Sequence, residues 1–172
     1  MRLFLAIDIP EAVRSAIAGL IARIKRPGPK WVDAKNLHLT LKFIGETNDL
    51  EGISAALGSI QGRPMNVGLK GLGSFPRVLW IGVQAPPEMA SLARCIEQAL
   101  TPLGITPEQR AFSPHLTIAR VKDGRMPKFE EQPDFGTFPV SEFVLYQSRL
   151  SPAGPSYTPL RRFPLVERLR SA

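Results

Sequence analysis

The sequence predicts an α+β fold in which two antiparallel sheets face a central cleft and helices pack outside them. Three observations lead to this fold class. Apolar strand-like runs alternate with helix-like stretches, short turns join several strands, and one motif occurs twice. His38-Leu39-Thr40-Leu41 recurs as His115-Leu116-Thr117-Ile118, and these histidines are the only two among 172 residues. We expect a single bilobal domain over 1–172, with a pseudo-repeat of roughly 1–76 and 77–172.

The first elements follow from local patterns in the chain. An apolar run predicts a strand over 2–9, and Pro10-Glu11 suits the first turn of a helix over 10–25. Proline lacks the N–H that a helix start cannot pair, and the acid faces the positive end of the helix dipole. An Arg-Pro-Gly-Pro breaker ends this helix. Next, a strand is expected over 37–45 and a helix over 49–60.

The motif spacing of 77 residues gives a register for the second half of the chain. This offset carries Leu3–Ile7 onto Trp80–Gln84 and Pro10-Glu11 onto Pro87-Glu88. Each half then reads strand, Pro-Glu, helix, loop and histidine strand. The other expected elements are strands at 65–72 and 77–84 joined by a Gly-Ser-Phe-Pro turn, a helix at 87–101, a strand at 115–121, and a long hairpin of 138–150 and 157–166.

The charge balance favours a polyanionic partner such as nucleic acid. The net charge is +7 and the sequence pI is about 10.1. A basic protein without such a partner is the alternative, which charge alone does not exclude. The basic residues flank both motifs: Lys25, Arg26, Lys30, Lys35 and Lys42 near the first, and Arg120, Lys122, Arg125 and Lys128 after the second.

Composition also argues against several classes of protein. The single cysteine, Cys95, rules out an intrachain disulfide and a CxxC metal site, and nothing near it would activate a nucleophile. We expect no metal and no cofactor, because the sequence offers no ligand cluster. The first apolar run is too short to span a membrane and lacks a cleavage site, which favours a cytoplasmic protein without a membrane partner. No sequence feature suggests a large exposed apolar patch, so a monomer is expected.

Two histidines in matching motifs suggest one general acid and one general base. The unperturbed pKa of an imidazole, about 6.5, allows proton transfer near neutral pH. Strand alternation predicts which residues share a face. In the first copy His38, Thr40 and Lys42 would face opposite to Leu39, Leu41 and Phe43; in the second, His115, Thr117 and Ala119 would face opposite to Leu116, Ile118 and Arg120.

Such a pair suits chemistry at phosphorus. In-line displacement needs a base on the attacking side and an acid on the leaving side, while threonine hydroxyls can donate to the non-bridging oxygens. A single His-x-Thr on a strand usually has only a structural role, and the duplication is what favours catalysis here. Periodicity alone leaves open a ligand-binding site that uses the same donors.

At these residues the sequence resembles a known family. His38-Leu39-Thr40-Leu41-Lys42-Phe43-Ile44-Gly45 and Ser113-Pro114-His115-Leu116-Thr117-Ile118-Ala119-Arg120 are similar to the two HxTx signatures of the two-histidine (2H) phosphoesterase superfamily. The most similar branch is the bacterial and archaeal RNA 2′,3′-cyclic phosphodiesterases, also called 2′-5′ RNA ligases or LigT/ThpR-like proteins. Residues 1–7 and 148–157 resemble that branch as well.

The resemblance implies metal-free hydrolysis of an RNA 2′,3′-cyclic phosphodiester to a 2′-phosphomonoester in a basic cleft. It implies that His38 is the proton donor to the leaving 3′ oxygen and that His115 is the base that activates water. Thr40 and Thr117 would hold the phosphate oxygens. By resemblance Arg120 would bind phosphate and Phe43 would lie near the nucleoside. Strand alternation places both on the opposite face, so a bulge or the strand end would have to redirect them.

Other residues keep two interpretations each. Trp31 and Trp80 could stack on a base, although packing in the core or cleft wall is favoured. Lys42 is a candidate phosphate ligand or a solvated strand end. Arg161 and Arg162 cannot both face the cleft, and an exposed edge that resists sheet pairing is their alternative.

The expected partner is RNA with a 2′,3′-cyclic phosphate end, with tRNA fragments or nucleotides as further candidates. Two alternatives to hydrolysis stay open. The same site could join RNA ends through a 2′-5′ linkage, or the protein could bind RNA ends with little turnover.

Overall fold

The computed structural model describes residues 1–167 and confirms the α+β class. The nine strands described are β1 (Arg2–Asp8), β2 (Lys30–Trp31), β3 (His38–Glu46), β4 (Met65–Phe75), β5 (Val78–Gln84), β6 (His115–Arg120), β7 (Asp134–Val140), β8 (Glu142–Ser151) and β9 (Gly154–Pro164). The α-helices are α1 (Glu11–Ile24), α2 (Leu50–Gly58) and α3 (Pro87–Leu100). Short 3₁₀ turns follow at Ala34–Asn36 and Thr101–Leu103.

The strands form two antiparallel sheets that meet at their histidine strands. Sheet 1 has the order β3-β1-β8-β9, and sheet 2 has the order β2-β6-β5-β4-β7. Cα atoms of β3 and β6 approach within 8 Å of one another, so the two motifs are neighbours although they belong to different sheets. The chain crosses between the sheets, because β2 and β4 belong to sheet 2 while β8 and β9 return to sheet 1. The sheets therefore do not follow the halves 1–76 and 77–172, and the extent of the domain stays a prediction.

The two sheets share one strand pattern. The order β3-β1-β8-β9 corresponds to β6-β5-β4-β7, with β2 added only to sheet 2. Ala6 lies opposite Thr40, and Trp80 lies opposite Thr117. Ala6 and Trp80 are therefore equivalent although 74 residues separate them. The offset of 77 residues holds for the histidine strands but is wrong for the strand before each helix.

The sequence-based elements differ from the structure at sheet edges. The predicted strand over 138–150 is wrong, because Val140 ends β7 in sheet 2 and Glu142 begins β8 in sheet 1. The hairpin itself is formed by β8 and β9. The short edge strand β2 was not expected, and β4 runs through Phe75 where a turn was predicted.

The helices cover one side of each sheet. In α1 the residues Ile17, Leu20, Ile21 and Ile24 are buried, which is the spacing of a single helix face. In α3 the same spacing buries Met89, Leu92, Ile96 and Leu100. These side chains join alternate residues of both sheets in one core. A separate small cluster of Phe4, Ala6, Val144 and Tyr146, flanked by Tyr157, lies on the other face of sheet 1. That second face is the one that carries His38.

On the equivalent face of sheet 2, an indole takes the place of Ala6. Trp80 lies flat against the neighbouring strand at Gly73, and a Cβ atom at Gly73 would meet the indole ring directly. The missing side chain is therefore what allows the ring to lie there.

We expect Gly73→Ala to destabilise the protein by about 1–3 kcal/mol, because the added methyl group overlaps the Trp80 ring. Chemical unfolding followed by tryptophan fluorescence measures this. Gly19→Ala is the matched control: its Cβ would meet nothing closer than 3.7 Å inside α1. That substitution should stabilise the helix by roughly 0.5–1 kcal/mol. Equal stability of Gly73→Ala and wild type would contradict the packing.

Candidate active site

The segment before β3 is anchored by a half-buried arginine. Arg14 of α1 donates hydrogen bonds to the carbonyl oxygens of Ala34 at 2.7 Å and Leu37 at 2.9 Å. The Asp33 carboxylate caps the same turn by accepting from the backbone N–H of Lys35 at 3.1 Å. These bonds fix the backbone immediately before His38.

Both imidazoles are oriented by the same backbone contact. Nδ1 of His38 lies 3.1 Å from the carbonyl oxygen of Asn36, and Nδ1 of His115 lies 3.0 Å from that of Ser113. A carbonyl oxygen can only accept, so Nδ1 carries the proton and donates in each case. Each ring therefore directs Nε2 away from its own backbone as the atom available for proton transfer.

A β-bulge at the same place in each motif changes which residues share a face. In β3, Thr40 pairs with Ala6 and Lys42 with Leu5, so Leu41 is the extra residue. In β6 the extra residue is Ile118 by the same criterion. After a bulge the alternation of side chains is displaced by one position. His38 and Thr40 keep the predicted face, and so do their counterparts.

The bulges bring Phe43 and Arg120 to the histidine face. Phe43 pairs with Phe4, its ring lies 6.1 Å from the Phe4 ring, and it is 71% exposed. Arg120 is exposed beyond the buried pair of Ile118 and Ala119. Simple alternation was wrong for both residues, and of the two expected ways to redirect them, a bulge or the strand end, the structure shows a bulge. Their roles in binding stay predictions.

Lys42 is not in the cleft, and its placement on the His38 face was wrong. Its side chain is 4% exposed, and Nζ donates to both carboxylate oxygens of Glu97, at 2.8 and 3.1 Å, and to the carbonyl oxygen of Thr106 at 3.1 Å. The bulge turns Lys42 toward the core, where a charged group requires a partner. Neither a phosphate contact nor a solvated strand end describes this residue.

The surroundings of the two histidines differ, although their strands match. Asp8 lies opposite His38, whereas Gly82 lies opposite His115. Oδ1 of Asp8 is 3.6 Å from Nε2 of His38 and accepts a hydrogen bond from the Tyr146 hydroxyl, while Oδ2 is 3.2 Å from Nη1 of Arg162. Sequence reasoning missed this group. An isolated aspartate at the end of an apolar strand was the available signal.

Aromatic rings enclose His38 more completely than His115. The His38 ring lies 4.6 Å from Tyr146, 5.7 Å from Tyr157 and 6.4 Å from Phe4. Its side chain is 7% exposed. His115 is exposed and contacts Phe75, at 5.7 Å. The first histidine therefore works in a much less hydrated environment.

Burial and charge act in opposite directions on His38. Burial lowers the pKa of His38 below its ordinary 6.5, because imidazolium loses hydration, and this is the largest effect. The Asp8 carboxylate opposes it, while Arg14 adds to the lowering. Burial also raises the pKa of Tyr146 well above 10, aided by its hydrogen bond to Asp8 and that group's negative charge. Tyr146 therefore remains a neutral donor throughout the physiological range.

The other candidates occupy distinct positions. Trp31 packs on Phe129 at 5.8 Å as part of the core, whereas Trp80 belongs to the cleft wall beside Thr117. Arg162 pairs with Val144 on the histidine face, and Arg161 on the opposite face bonds Glu51 of α2 at 3.1 Å. The prediction that these arginines cannot both face the cleft is confirmed.

The histidine strands of the two sheets lie next to each other, and we call the surface that carries both histidines the groove. Two cavities, about 330 and 410 Å³, lie elsewhere: one between Leu72 and Phe129, the other between Arg14 and Lys35. Within residues 1–167, no group of three or more His, Cys, Asp or Glu side chains is placed to hold a metal ion. No helix in the same range is long and apolar enough to cross a membrane.

Comparison with known proteins gives consistent matches over nearly the whole chain. A family profile described as the 2′-5′ RNA ligase superfamily matches residues 12–151. A Methanocaldococcus jannaschii protein named RNA 2′,3′-cyclic phosphodiesterase is 38% identical over 95% of this chain and 100% of its own length. An Escherichia coli K12 protein of the same name is 33% identical over 96% of this chain and 97% of its own. The crystal structure of E. coli LigT complexed with 3′-AMP superposes with a TM-score of 0.87 at 32% identity, covering 96% and 98% of the two chains.

We expect the His38 ring to titrate below 6.5 in the ligand-free protein, because burial outweighs the attraction of Asp8. Proton NMR of the imidazole signals against pH measures the midpoint. His115→Ala assigns the remaining signal to His38. A midpoint at or above 6.5 would contradict the balance of burial and charge described here.

Proposed function

The chain belongs to the 2′-5′ RNA ligase superfamily, and from this we propose that it is an RNA 2′,3′-cyclic phosphodiesterase that yields 2′-phosphomonoester ends without a metal ion. One observation carries the proposal. Two HxTx strands adjoin across an open groove, and each directs the Nε2 atom of a histidine away from its backbone. Two imidazoles oriented by the same backbone hydrogen bond can supply the two proton transfers that ring opening requires.

The reaction we propose exchanges one P–O bond for another. His115 takes a proton from water at Nε2 as the water oxygen bonds to phosphorus, and the bond between phosphorus and O3′ breaks. His38 delivers its Nε2 proton to O3′, which leaves a 3′-hydroxyl and a 2′-phosphate. His115 is then protonated and His38 neutral, and proton exchange with solvent restores both. Each transfer contributes on the order of 10²–10⁴ in rate.

The threonines and Arg120 would stabilise the charge that develops on the phosphate. Thr40 and Thr117 lie two residues after each histidine on the same strand faces. Their hydroxyls can donate to the non-bridging oxygens, where negative charge increases in the transition state. Arg120 follows on that face and offers a planar set of donors suited to phosphate. Phe43, equivalent to Arg120 in the other motif, offers an exposed ring for the terminal nucleoside.

A cluster of cations next to Arg120 supports a polymeric substrate. Lys30 pairs directly with Arg120 across the β2–β6 ladder, and the backbone N–H of Val121 donates to the carbonyl oxygen of Arg77 at 3.0 Å. Arg125 lies near that turn, since the adjacent Met126 donates to the carbonyl oxygen of Pro76 at 2.7 Å. We call Lys30, Arg77, Lys122 and Arg125 the basic rim. All four are exposed.

The four side chains of the basic rim form no ion pair with an acidic residue among residues 1–167. The ion pairs found among residues 1–167 use other side chains. Cations that are exposed and unpaired can exchange their counterions for the phosphates of a nucleic acid. We therefore propose that the rim binds the RNA chain preceding the cyclic phosphate. tRNA fragments fit this class of substrate, and the E. coli relative with 3′-AMP supports nucleotide-sized ligands as well.

Ligation is a second candidate, favoured by the openness of the groove. If the 5′-hydroxyl of another RNA replaced water, the same transfers would form a 2′-5′ linkage. An exposed His115 leaves room for that larger nucleophile. A cytoplasmic location and a monomeric state remain predictions, and the reaction does not depend on either.

We expect the wild type to convert a short RNA with a 2′,3′-cyclic phosphate into a 2′-phosphate in the presence of EDTA. His38→Ala and His115→Ala should each reduce kcat by roughly 10²-fold or more, because each removes one proton transfer. Chromatography of the products measures the rate and identifies the phosphate position. A dialysed, folded wild type that binds RNA but forms no product would favour the binding-protein alternative. Joined products with a second RNA would support ligation.

Removing charge from the basic rim should weaken binding of RNA but not of a nucleoside 2′,3′-cyclic phosphate. For the double variant Lys122→Gln with Arg125→Gln, we expect the KM for an oligonucleotide to rise several-fold. The slope of log KM against log salt concentration should decrease by roughly one. KM for the mononucleotide should be unchanged. The control is Arg63→Gln with Arg94→Gln, which removes the same charge elsewhere on the surface. Equal effects of the two pairs would contradict a local RNA site.

A further inference from the structure

Pseudo-symmetry alone cannot decide which histidine is the acid. His38 and His115 share a hydrogen-bond pattern, a bulge and a threonine neighbour. A symmetric pair could in principle bind the cyclic phosphate in two senses, with either ring as donor. The difference must therefore come from residues outside the two motifs.

Two positions distinguish the sites. At the position equivalent to Asp8 of β1, β5 has Gly82. At the position equivalent to Tyr146, β4 has Phe75, because Tyr146 and Phe75 pair with equivalent residues of β1 and β5. A side chain at Gly82 is excluded by the fold, because its Cβ atom would lie 2.5 Å from the carbonyl oxygen of Lys70. The ion pairs among residues 1–167 include none at His115. Among the residues described, a carboxylate lies within 4 Å of the His38 ring but not of the His115 ring.

We propose that Asp8, held by Tyr146 and Arg162, is a positioning residue that stabilises the protonated form of His38 against its buried surroundings, so that His38 rather than His115 serves as the general acid. This inference rests on the proposed function. Asp8 acts on the substrate only through the imidazole of His38.

The distances suit this role. At 3.6 Å, Oδ1 of Asp8 is close enough to Nε2 of His38 to stabilise an imidazolium ion, yet beyond hydrogen-bond length. The Nε2 proton therefore stays available to the substrate. Tyr146 donates to Oδ1 and Arg162 donates to Oδ2, and Glu142 holds Arg162 in turn at 2.8 Å. These contacts keep the carboxylate from moving onto the proton.

The charged and titratable groups around His38 come from four elements. They are Asp8 on β1, Arg14 on α1, Tyr146 on β8, and Tyr157 and Arg162 on β9. Asp8 is the negative charge among them. Burial and Arg14 disfavour the protonated ring, so Asp8 opposes both. Without Asp8, an even smaller fraction of His38 would carry the proton needed by the leaving oxygen at neutral pH.

Two substitutions should move His38 in opposite directions. Asp8→Asn removes the charge, so the His38 midpoint in the ligand-free protein should fall further, by about one unit or more. Tyr146→Phe frees the carboxylate to approach Nε2, so the midpoint should rise. Asp134→Asn is the matched control, because it makes the same change at an exposed pair with Lys70 and should leave the midpoint unaltered. NMR titration of the imidazole signals provides these values.

Kinetics separate a positioning role from a structural one. In Asp8→Asn, kcat at pH 7 should fall about tenfold or more, with the alkaline limb of the pH profile shifted to lower pH, because the general acid loses its proton earlier. KM should not increase, because removal of a negative charge does not weaken binding of an anion. A midpoint that is unchanged or raised in Asp8→Asn, or an unchanged kcat, would overturn the proposal. If Asp8→Asn does not fold, an unchanged or lowered midpoint in Tyr146→Phe overturns it equally.

The proposed function fails in a different way. The titration uses no substrate, so opposite midpoint shifts with no turnover by wild type would reject the phosphodiesterase and the acid role of His38. The midpoint shifts would still establish that Asp8 controls the pKa of the His38 ring. Turnover without those shifts would retain the enzyme and reject the role of Asp8.

Discussion

A bulge at the same place in each histidine strand determines what the groove contains. Without the bulges at Leu41 and Ile118, alternation would send Phe43 and Arg120 into the core and bring Lys42 into the groove. The bulge instead lets one strand carry an imidazole, a hydroxyl and an exposed side chain, Phe43 or Arg120, on one face. It also turns two consecutive residues toward the core, Leu41-Lys42 in β3 and Ile118-Ala119 in β6. The core and the groove are thus both built from the same few positions.

The fold makes the two histidine strands equivalent, but the side chains on the neighbouring strands make the surroundings of the two histidines different. Equivalent positions hold Ala6 and Trp80, Asp8 and Gly82, and Phe43 and Arg120. The first site is aromatic, enclosed and has a carboxylate, while the second is open and basic. Hydrolysis at phosphorus requires this inequality, because one imidazole must start with a proton and the other without. A duplicated scaffold can provide two rings in place, but only unequal surroundings give them different roles.

The sequence was sufficient for the parts that depend on local pattern. The helix faces, the main strands and the paired motifs follow from spacing that is visible in the chain. The edge strand β2 has two residues, too few for a period to be recognised. The bulges were invisible to a rule that assumes strict alternation, and so Lys42 was placed in the groove. Its partner Glu97 is 55 residues away, and no local signal joins them. Asp8 and Tyr146 are 138 residues apart, and their contact was missed because no local signal joins them either.

The crossing of the chain between the sheets has a consequence for how the protein is made. The central strand β1 lies between β3 and β8, and β8 begins only at Glu142. At about 5–20 residues per second of synthesis, β1 waits several seconds for that partner to emerge from the ribosome. Until then one of its edges is unpaired, and an unpaired apolar edge is prone to association with other chains. Non-local pairing of this kind also slows folding. The interlocked topology that unites the two lobes therefore makes the nascent chain dependent on its last third.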